Sequence, residues 1–505
     1  MIGIFLAAAL SIPNHGVSCN ELKSVNLPDT TITSSEPVAA GPFVWPKGAF
    51  RIPGTENDPP LVLPAYCRVK MVLQPTTDSD INVVLWLPAE NWNGKFMATG
   101  NGGWAGVFQS YDDMQVALQR GYATAATDTG HSGNIFSGMF ALGHPEKLID
   151  FAYRSLHLMT VRSKQLIDAF YPTQLNYSYY KGCSTGGRQG VMEAQRYPGD
   201  FDGIIAGALA NRHIHMHTAQ IAEEIYKKRH PEAVVSNAKA DMVHAAVMKT
   251  CDTLHEGFLN NPHQCPFDFS TLQCKGQESD DCLTRAELRT VETFYGGVKN
   301  SKGELIFSGA PVSVSMNAKM FSRVIQGYGA TSKDALNPFM FDTVRILGFH
   351  DADYDWHKFN LDRDMPIIDA AAGFVDAVDP DLRAFKAAGG KLIMYHGWDD
   401  PGISPENTIY YYNSVLKEMG KDQADWMRLF MVPGMGHCRG GPGPNEFDTI
   451  TALEKWREGG EAPSSMMGTN PASGLSRPLC PYPEYAKYDG SGDPKDAANW
   501  SCAAP

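Results

Sequence analysis

Beyond its first few residues, the chain has no segment long and apolar enough to cross a membrane. It has no basic excess either: 43 Lys and Arg stand against 56 Asp and Glu, a formal net charge of −13. Nucleic acid and anionic membrane surfaces both need a basic footprint, so neither is expected as a partner. None of the ten cysteines sits in a Cys-x-x-Cys pair, so the usual zinc pattern is missing. Internal repeats and low-complexity tracts are absent. What remains is ordinary globular composition, 43% hydrophobic and 20% charged, over 505 residues. That length allows about two to four domains.

An even number of cysteines without metal spacing reads as a disulfide framework, which implies an oxidising compartment. The N-terminus agrees in part. Ile2 to Leu10 is an apolar run of signal-peptide length, followed by Pro13 and small residues, but no positive segment precedes it. Residues 1–18 are therefore a candidate signal segment, and a secreted or periplasmic protein is expected. Gly16-Val17-Ser18-Cys19 matches a lipobox only loosely, because its first position is wrong.

Short strand-like runs recur along the chain: Ile81–Leu87, Lys95–Thr99, Tyr122–Thr127, Asn176–Lys181 through its tyrosines, and the apolar runs Gly203–Ala210, Lys391–Tyr395 and Arg428–Val432. Thr185 to Arg196 suits a helix that stops before Pro198. Strands alternating with helices predict a mostly parallel, covered sheet. Residues 211–376 break the rhythm. They are more helical, hold four closely spaced cysteines and lack clear buried strands. They read as a lid inserted into a catalytic domain made of residues 19–210 and 377–505. The run from Pro463 to Pro505 reads as a meander tied down by Cys480 and Cys502.

The chemistry concentrates in two places. Gly182-Cys183-Ser184-Thr185-Gly186 is a G-x-S-x-G turn, which lifts a serine hydroxyl from a strand end for nucleophilic attack. Pro433-Gly434-Met435-Gly436 turns the chain into His437, a candidate general base. A serine needs such a base, and the base needs an orienting carboxylate. Past the strand at Lys391–Tyr395, Asp399 and Asp400 compete for that role, and spacing alone does not separate them. The order Ser, Asp, His is that of α/β hydrolases. Cys183 precedes the serine and Cys438 follows the histidine, so a bridge between them would lock nucleophile to base. The oxyanion needs two preorganised N–H donors. One is expected from Thr185, the other from Gly102 or Gly103 in the glycine turn after the second strand.

Five segments carry a resemblance to a known family: WNGKFMATGNGGWAG (Trp92 to Gly106), YATAATDTGHSG (Tyr122 to Gly133), YYKGCSTGGRQGVMEAQRYPGDFDGIIAGA (Tyr179 to Ala208), YHGWDDPGISPENTIYYY (Tyr395 to Tyr412) and VPGMGHCRGGPG (Val432 to Gly443). From about Cys67 onward the chain resembles the tannase and feruloyl esterase family of secreted serine hydrolases. The resemblance implies an α/β-hydrolase fold with a large lid inserted between the nucleophile and acid/base halves. It implies Ser184, Asp400 and His437 as the catalytic residues and a Cys183–Cys438 bridge. The family usually has His-Gly-x-Ala-Asp where this chain has His396-Gly397-Trp398-Asp399-Asp400, so the resemblance makes Asp399 the substituted alanine. The remaining expected bridges are Cys19–Cys67, Cys251–Cys265, Cys274–Cys282 and Cys480–Cys502. Monohydroxyethyl terephthalate hydrolases belong to the same family, so membership does not fix the acid.

One departure concerns metal. Many members of the family it resembles carry a lid loop of the form Cys-Asp-x-x-Asp-Gly-x-x-Asp-Gly, whose carboxylates and carbonyls bind calcium. Here Asp252 survives, but His255 and Leu259 replace the second and third aspartates. Calcium wants about six to eight oxygens. Glu256 and Asn260 would help only after a one-residue slip, so no bound calcium and no cofactor is expected. His213, His215 and His217 alternate with Ile214 and Met216; a strand would align them as metal ligands, but a polar loop is the expectation. Trp356, His357 and Phe359 read either as an aromatic acyl pocket or as lid core. The sum is an esterase for small aromatic, phenolic esters. The alternatives are a tannase, a terephthalate-type hydrolase and, less favoured, a non-catalytic binding protein on the same fold.

Overall fold

The structure is a computed structural model that describes residues 16–47, 49–51, 59–317 and 336–505. The apolar run Ile2–Leu10 lies outside the described residues. Nine strands form the main sheet: β1 (Thr30–Val38), β2 (Tyr66–Leu73), β3 (Ile81–Pro88), β4 (Lys95–Thr99), β5 (Ala123–Thr127), β6 (Tyr177–Cys183), β7 (Gly203–Gly207), β8 (Lys391–Gly397) and β9 (Met427–Val432). Their spatial order is β1-β2-β3-β5-β4-β6-β7-β8-β9. The pairs β1–β2, β2–β3 and β3–β5 are antiparallel, and every pair from β5 to β9 is parallel.

The parallel part is apolar because it is covered on both faces. Every residue of β7 is buried. On one face Leu156, Leu166 and Ile167 of the helix Ser155–Phe170 pack against the sheet, together with Val415 of Pro405–Met419. On the other face lie Leu453 and Trp456 of Thr449–Gly459. Register brings the functional strand ends level: Cys183 pairs with Gly207, Gly207 with Tyr395, and Gly397 with Val432.

Residues between β7 and β8 form helices His213–Arg229, Asn237–Cys251, Arg285–Gly296 and Leu361–Ala372, plus a small hairpin of Val298–Lys299 and Leu305–Phe307. The two ends of this insertion meet. Ala377 N–H donates to the Asn211 carbonyl at 2.7 Å, and Asn211 Nδ2 donates back at 3.1 Å. The expectation of a polar loop at His213–His217 is corrected: these residues open the helix His213–Arg229. Five disulfides join Cys19–Cys67, Cys183–Cys438, Cys251–Cys265, Cys274–Cys282 and Cys480–Cys502. Among the described residues no helix is long and apolar enough to cross a membrane.

Candidate active site

Ser184 sits between β6 and the helix Thr185–Arg196 with φ 66° and ψ −124°. A non-glycine residue holds such angles only where its surroundings fix them. Here Ser184 N–H donates to the Gly207 carbonyl at 3.0 Å, and the Ser184 carbonyl accepts from Arg188 N–H at 3.1 Å. The turn must be glycine-rich because the chain folds onto itself. A Cβ on Gly182 would lie 2.4 Å from Tyr180 Oη and 2.7 Å from the Gly186 carbonyl oxygen. Arg188 then anchors the helix: its guanidinium, fully buried, donates to the carbonyls of Phe151, Ala152 and Val375.

Asp400 follows β8 and His437 follows β9. His437 Nδ1 donates to Asp400 Oδ2 at 2.7 Å. Asp400 accepts three further hydrogen bonds: Gly402 N–H at 2.8 Å and Ile403 N–H at 3.0 Å on Oδ1, and His396 Nε2 at 3.0 Å on Oδ2. His396 Nε2 also faces the Ile403 carbonyl at 3.0 Å, which makes it the donor, while Nδ1 accepts from Thr408 Oγ1 at 2.7 Å. Burial pushes the Asp400 carboxyl up, but the His437 charge and the two histidine hydrogen bonds outweigh it. The group is held well below the ordinary carboxylate range. It therefore stays ionised and fixes the His437 ring with Nδ1 as the donor.

Asp399 behaves differently. Burial pushes its carboxyl up to about 7, opposed weakly by the polar side chain of Ser313. Its Oδ1 has no partner. It makes no contact with His437 among the hydrogen bonds of the described residues.

The Cys183–Cys438 bridge joins the residue before the serine to the residue after the histidine, with a Cα–Cα distance of 6.0 Å. Ser184 and His437 are both half-buried and lie on either side of this bond. The glycine turn completes the site. Thr185 Oγ1 donates to the Gly103 carbonyl at 2.7 Å, and Gly186 N–H to the Asn101 carbonyl at 2.7 Å. The Gly102 N–H is donated to Gln109 Oε1 at 2.6 Å, which takes it away from the cleft. Gly103 has φ +55°, and a Cβ there would lie 2.5 Å from the Ile135 carbonyl oxygen, so only glycine fits.

Other candidates fall elsewhere. His213 and His217 are buried one helical turn apart beside Trp104, their ring centroids 4.2 Å from each other. Burial pushes both imidazoles down, His217 to about 3. His215 points away, to Asp376 at 2.9 Å. Phe359 is buried in the core of the insertion, whereas His357 is exposed.

The loop around Asp252, where the resemblance raises calcium, does not fit that ion. Both Asp252 oxygens accept backbone N–H groups, from Glu256 at 3.0 Å and Gly257 at 2.8 Å. Glu256 pairs with the fully buried Arg477 at 2.7 Å, and Asn260 Oδ1 faces the same guanidinium at 3.4 Å. Leu259 is buried against Val247 and Cys265. A guanidinium occupies the electrostatic role that a cation would have.

His396, Thr408, Gln109, Gln189 and Arg477 were not singled out in the sequence. His396, Thr408 and Gln189 lie inside the segments that carry the family resemblance, which was the signal available for them. Gln189 holds the glycine turn to the helix Thr185–Arg196, accepting from Asn101 N–H at 3.0 Å and donating to Asn101 Oδ1 at 3.2 Å.

This sheet order, with a serine on a strained strand-to-helix turn at its centre, defines the α/β-hydrolase class. Within that class the chain belongs to the tannase and feruloyl esterase family of carboxylic ester hydrolases: residues 67–503 match the family described as "Tannase and feruloyl esterase". An uncharacterized esterase of Xanthomonas campestris pv. campestris is 35% identical, over 98% of this chain and 93% of its own length. The mono(2-hydroxyethyl) terephthalate hydrolase of Piscinibacter sakaiensis is 31% identical, over 92% of this chain and 90% of its own. The crystal structure of feruloyl esterase B from Aspergillus oryzae superposes with a TM-score of 0.85 at 29% identity, covering 96% of this chain and 100% of that one.

Proposed function

We propose that this protein is a secreted serine esterase that hydrolyses esters of aromatic, phenolic carboxylic acids, as feruloyl esterases do. Ser184 is the nucleophile, His437 the base and Asp400 the residue that orients it. His437 Nε2 takes the Ser184 proton as Oγ attacks the ester carbonyl. The tetrahedral oxyanion is held by the N–H groups of Thr185 and Gly103. Collapse expels the alcohol, which receives the proton from His437, and leaves an acyl-enzyme. Water, activated by the same histidine, then releases the acid and restores the serine.

The observation that carries this reading is the disulfide beside the two reacting groups, combined with the His437–Asp400 hydrogen bond at 2.7 Å. The segment 211–376 serves as the lid that shapes the acyl pocket, because it is inserted after β7, at the strand ends that carry the site. Five disulfides support an extracellular or periplasmic setting.

A fluorophosphonate probe should label the wild type at Ser184 and leave Ser184→Ala unlabelled; an unlabelled wild type would favour a binding protein on this fold. A panel of feruloyl, galloyl and terephthaloyl esters then ranks the acyl groups. Highest kcat/KM on feruloyl esters is expected. A preference for the terephthalate monoester would instead align the chain with its Piscinibacter relative, and a galloyl preference would make it a tannase.

A further inference from the structure

Glu193 lies on the nucleophile helix, more than two turns beyond Ser184, and is 1% exposed. Neither of its carboxylate oxygens has a hydrogen-bond partner. Buried polar atoms are almost always paired, so an orphaned carboxyl calls for an explanation. Two groups face it. Asp200 precedes β7, and His157 lies on the helix Ser155–Phe170. One ligand atom from each of the three residues lies within 4.8 Å of the others. His157 Nδ1 meets Asp200 Oδ2 at 2.6 Å, and the His157 ring stacks on Tyr197 with a centroid distance of 3.8 Å, which fixes its orientation.

We propose that His157, Glu193 and Asp200 form a binding site for a divalent transition metal, with zinc as the expected occupant. One imidazole nitrogen and two carboxylates are a donor set that zinc accepts at four-coordination, with water in the fourth place. Calcium is excluded as the favoured ion, because it prefers a shell of oxygens alone. The metal neutralises both carboxylates and gives Glu193 the partner it lacks. Coordination requires both carboxylates to be ionised, so metal binding releases any proton held between Glu193 and Asp200. The proton on His157 Nδ1 moves to Nε2 or to solvent, which frees Nδ1 to coordinate. A surface cavity of about 200 Å³ is walled by Lys164 and by Gly199 and Phe201, the sequence neighbours of Asp200. Lys164 competes as a cation, but its ammonium is bonded to the Asp200 main-chain carbonyl rather than to either carboxylate. A bound ion would tie the nucleophile helix to its neighbouring helix and to the turn before β7. It stands apart from the residues of the catalytic cycle.

The test titrates zinc chloride into metal-free, disulfide-intact protein, read by calorimetry in two buffers of different ionisation enthalpy and by thermal melting. Expected are one zinc per chain, release of protons on binding and a Tm that rises with zinc concentration. His157→Gln and Glu193→Gln should each abolish all three. If Glu193→Gln does not fold, the partly exposed His157→Gln decides alone. Absence of stoichiometric binding, or binding that survives His157→Gln, overturns the proposal. Glu193 and Asp200 would then simply share one proton.

Discussion

Replacing Asp399 by asparagine removes a carboxyl while keeping its shape. In the unfolded chain this group loses its proton near 3.8; in the folded protein it keeps the proton until about 7. Between those values only the folded state is protonated, so stability falls as pH rises, by about 1.4 kcal/mol per pH unit. Below the unfolded value both states are protonated and the group contributes nothing. Above pH 7 the full penalty is present, about 4 kcal/mol at most. Asp399 is only partly buried, and solvent screening reduces this to about 2 kcal/mol. Asp399→Asn should therefore stabilise the protein by about 2 kcal/mol at pH 8 and leave it unchanged at pH 4. Denaturant unfolding of the oxidised protein at both pH values, followed by tryptophan fluorescence, measures this. An equal gain at both pH values, or none at pH 8, refutes the reasoning. Turnover should change little, since His437 is held by the neighbouring Asp400.

Ser184→Ala should remove turnover without changing the melting temperature, and Asp400→Asn should lower kcat on the order of 10³- to 10⁴-fold; if Asp399→Asn is the crippling variant instead, the aspartate is misassigned. Opening the Cys183–Cys438 bridge by the double serine variant releases a 255-residue loop. In the entropic account that costs about 5 kcal/mol of stability. Kcat should fall as well, and disulfide mapping of wild-type peptides that found free thiols there would remove the basis of the prediction. Arg477→Met leaves Glu256 without its buried partner and should cost about 3–5 kcal/mol. Wild-type protein should contain no stoichiometric calcium by metal analysis, and added calcium should leave its Tm unchanged.

The parallel half of the sheet was legible because its strands are buried on both faces and read as unbroken apolar runs, as Gly203-Ile204-Ile205-Ala206-Gly207 does. The first two strands were not. In β1 only Ile32 is buried, since this edge strand pairs on one side and faces solvent elsewhere. The serine turn was legible because its glycines are forced by local crowding. His213-Ile214-His215-Met216-His217 misled because alternation of polar and apolar residues imitates a strand. The helix wins because its period puts His213 and His217 together against Trp104 and sends His215 to Asp376. The choice between Gly102 and Gly103 depends on Gln109, and the bond between them becomes visible only when the turn is folded. Asp399 and Asp400 were separable by family resemblance but not by spacing, for the distinction lies in which carboxyl meets a histidine 37 residues further on.

Arg477 changes the terms on which the loop around Asp252 is stable. A loop closed by a captured ion gains a stability that follows the logarithm of the free ion concentration, so dilution or a chelating neighbour weakens it. A guanidinium carried on the same chain has no concentration to fall. It keeps its charge across the whole working pH range. It is further fixed by the Trp500 ring, 3.6 Å from the guanidinium carbon. Trp500 stands two residues before Cys502, which is bonded to Cys480, three residues past Arg477. Sequestering calcium in the surroundings therefore gives no handle on this part of the molecule, whereas reduction of the C-terminal disulfide loosens the mount on which the charge is held.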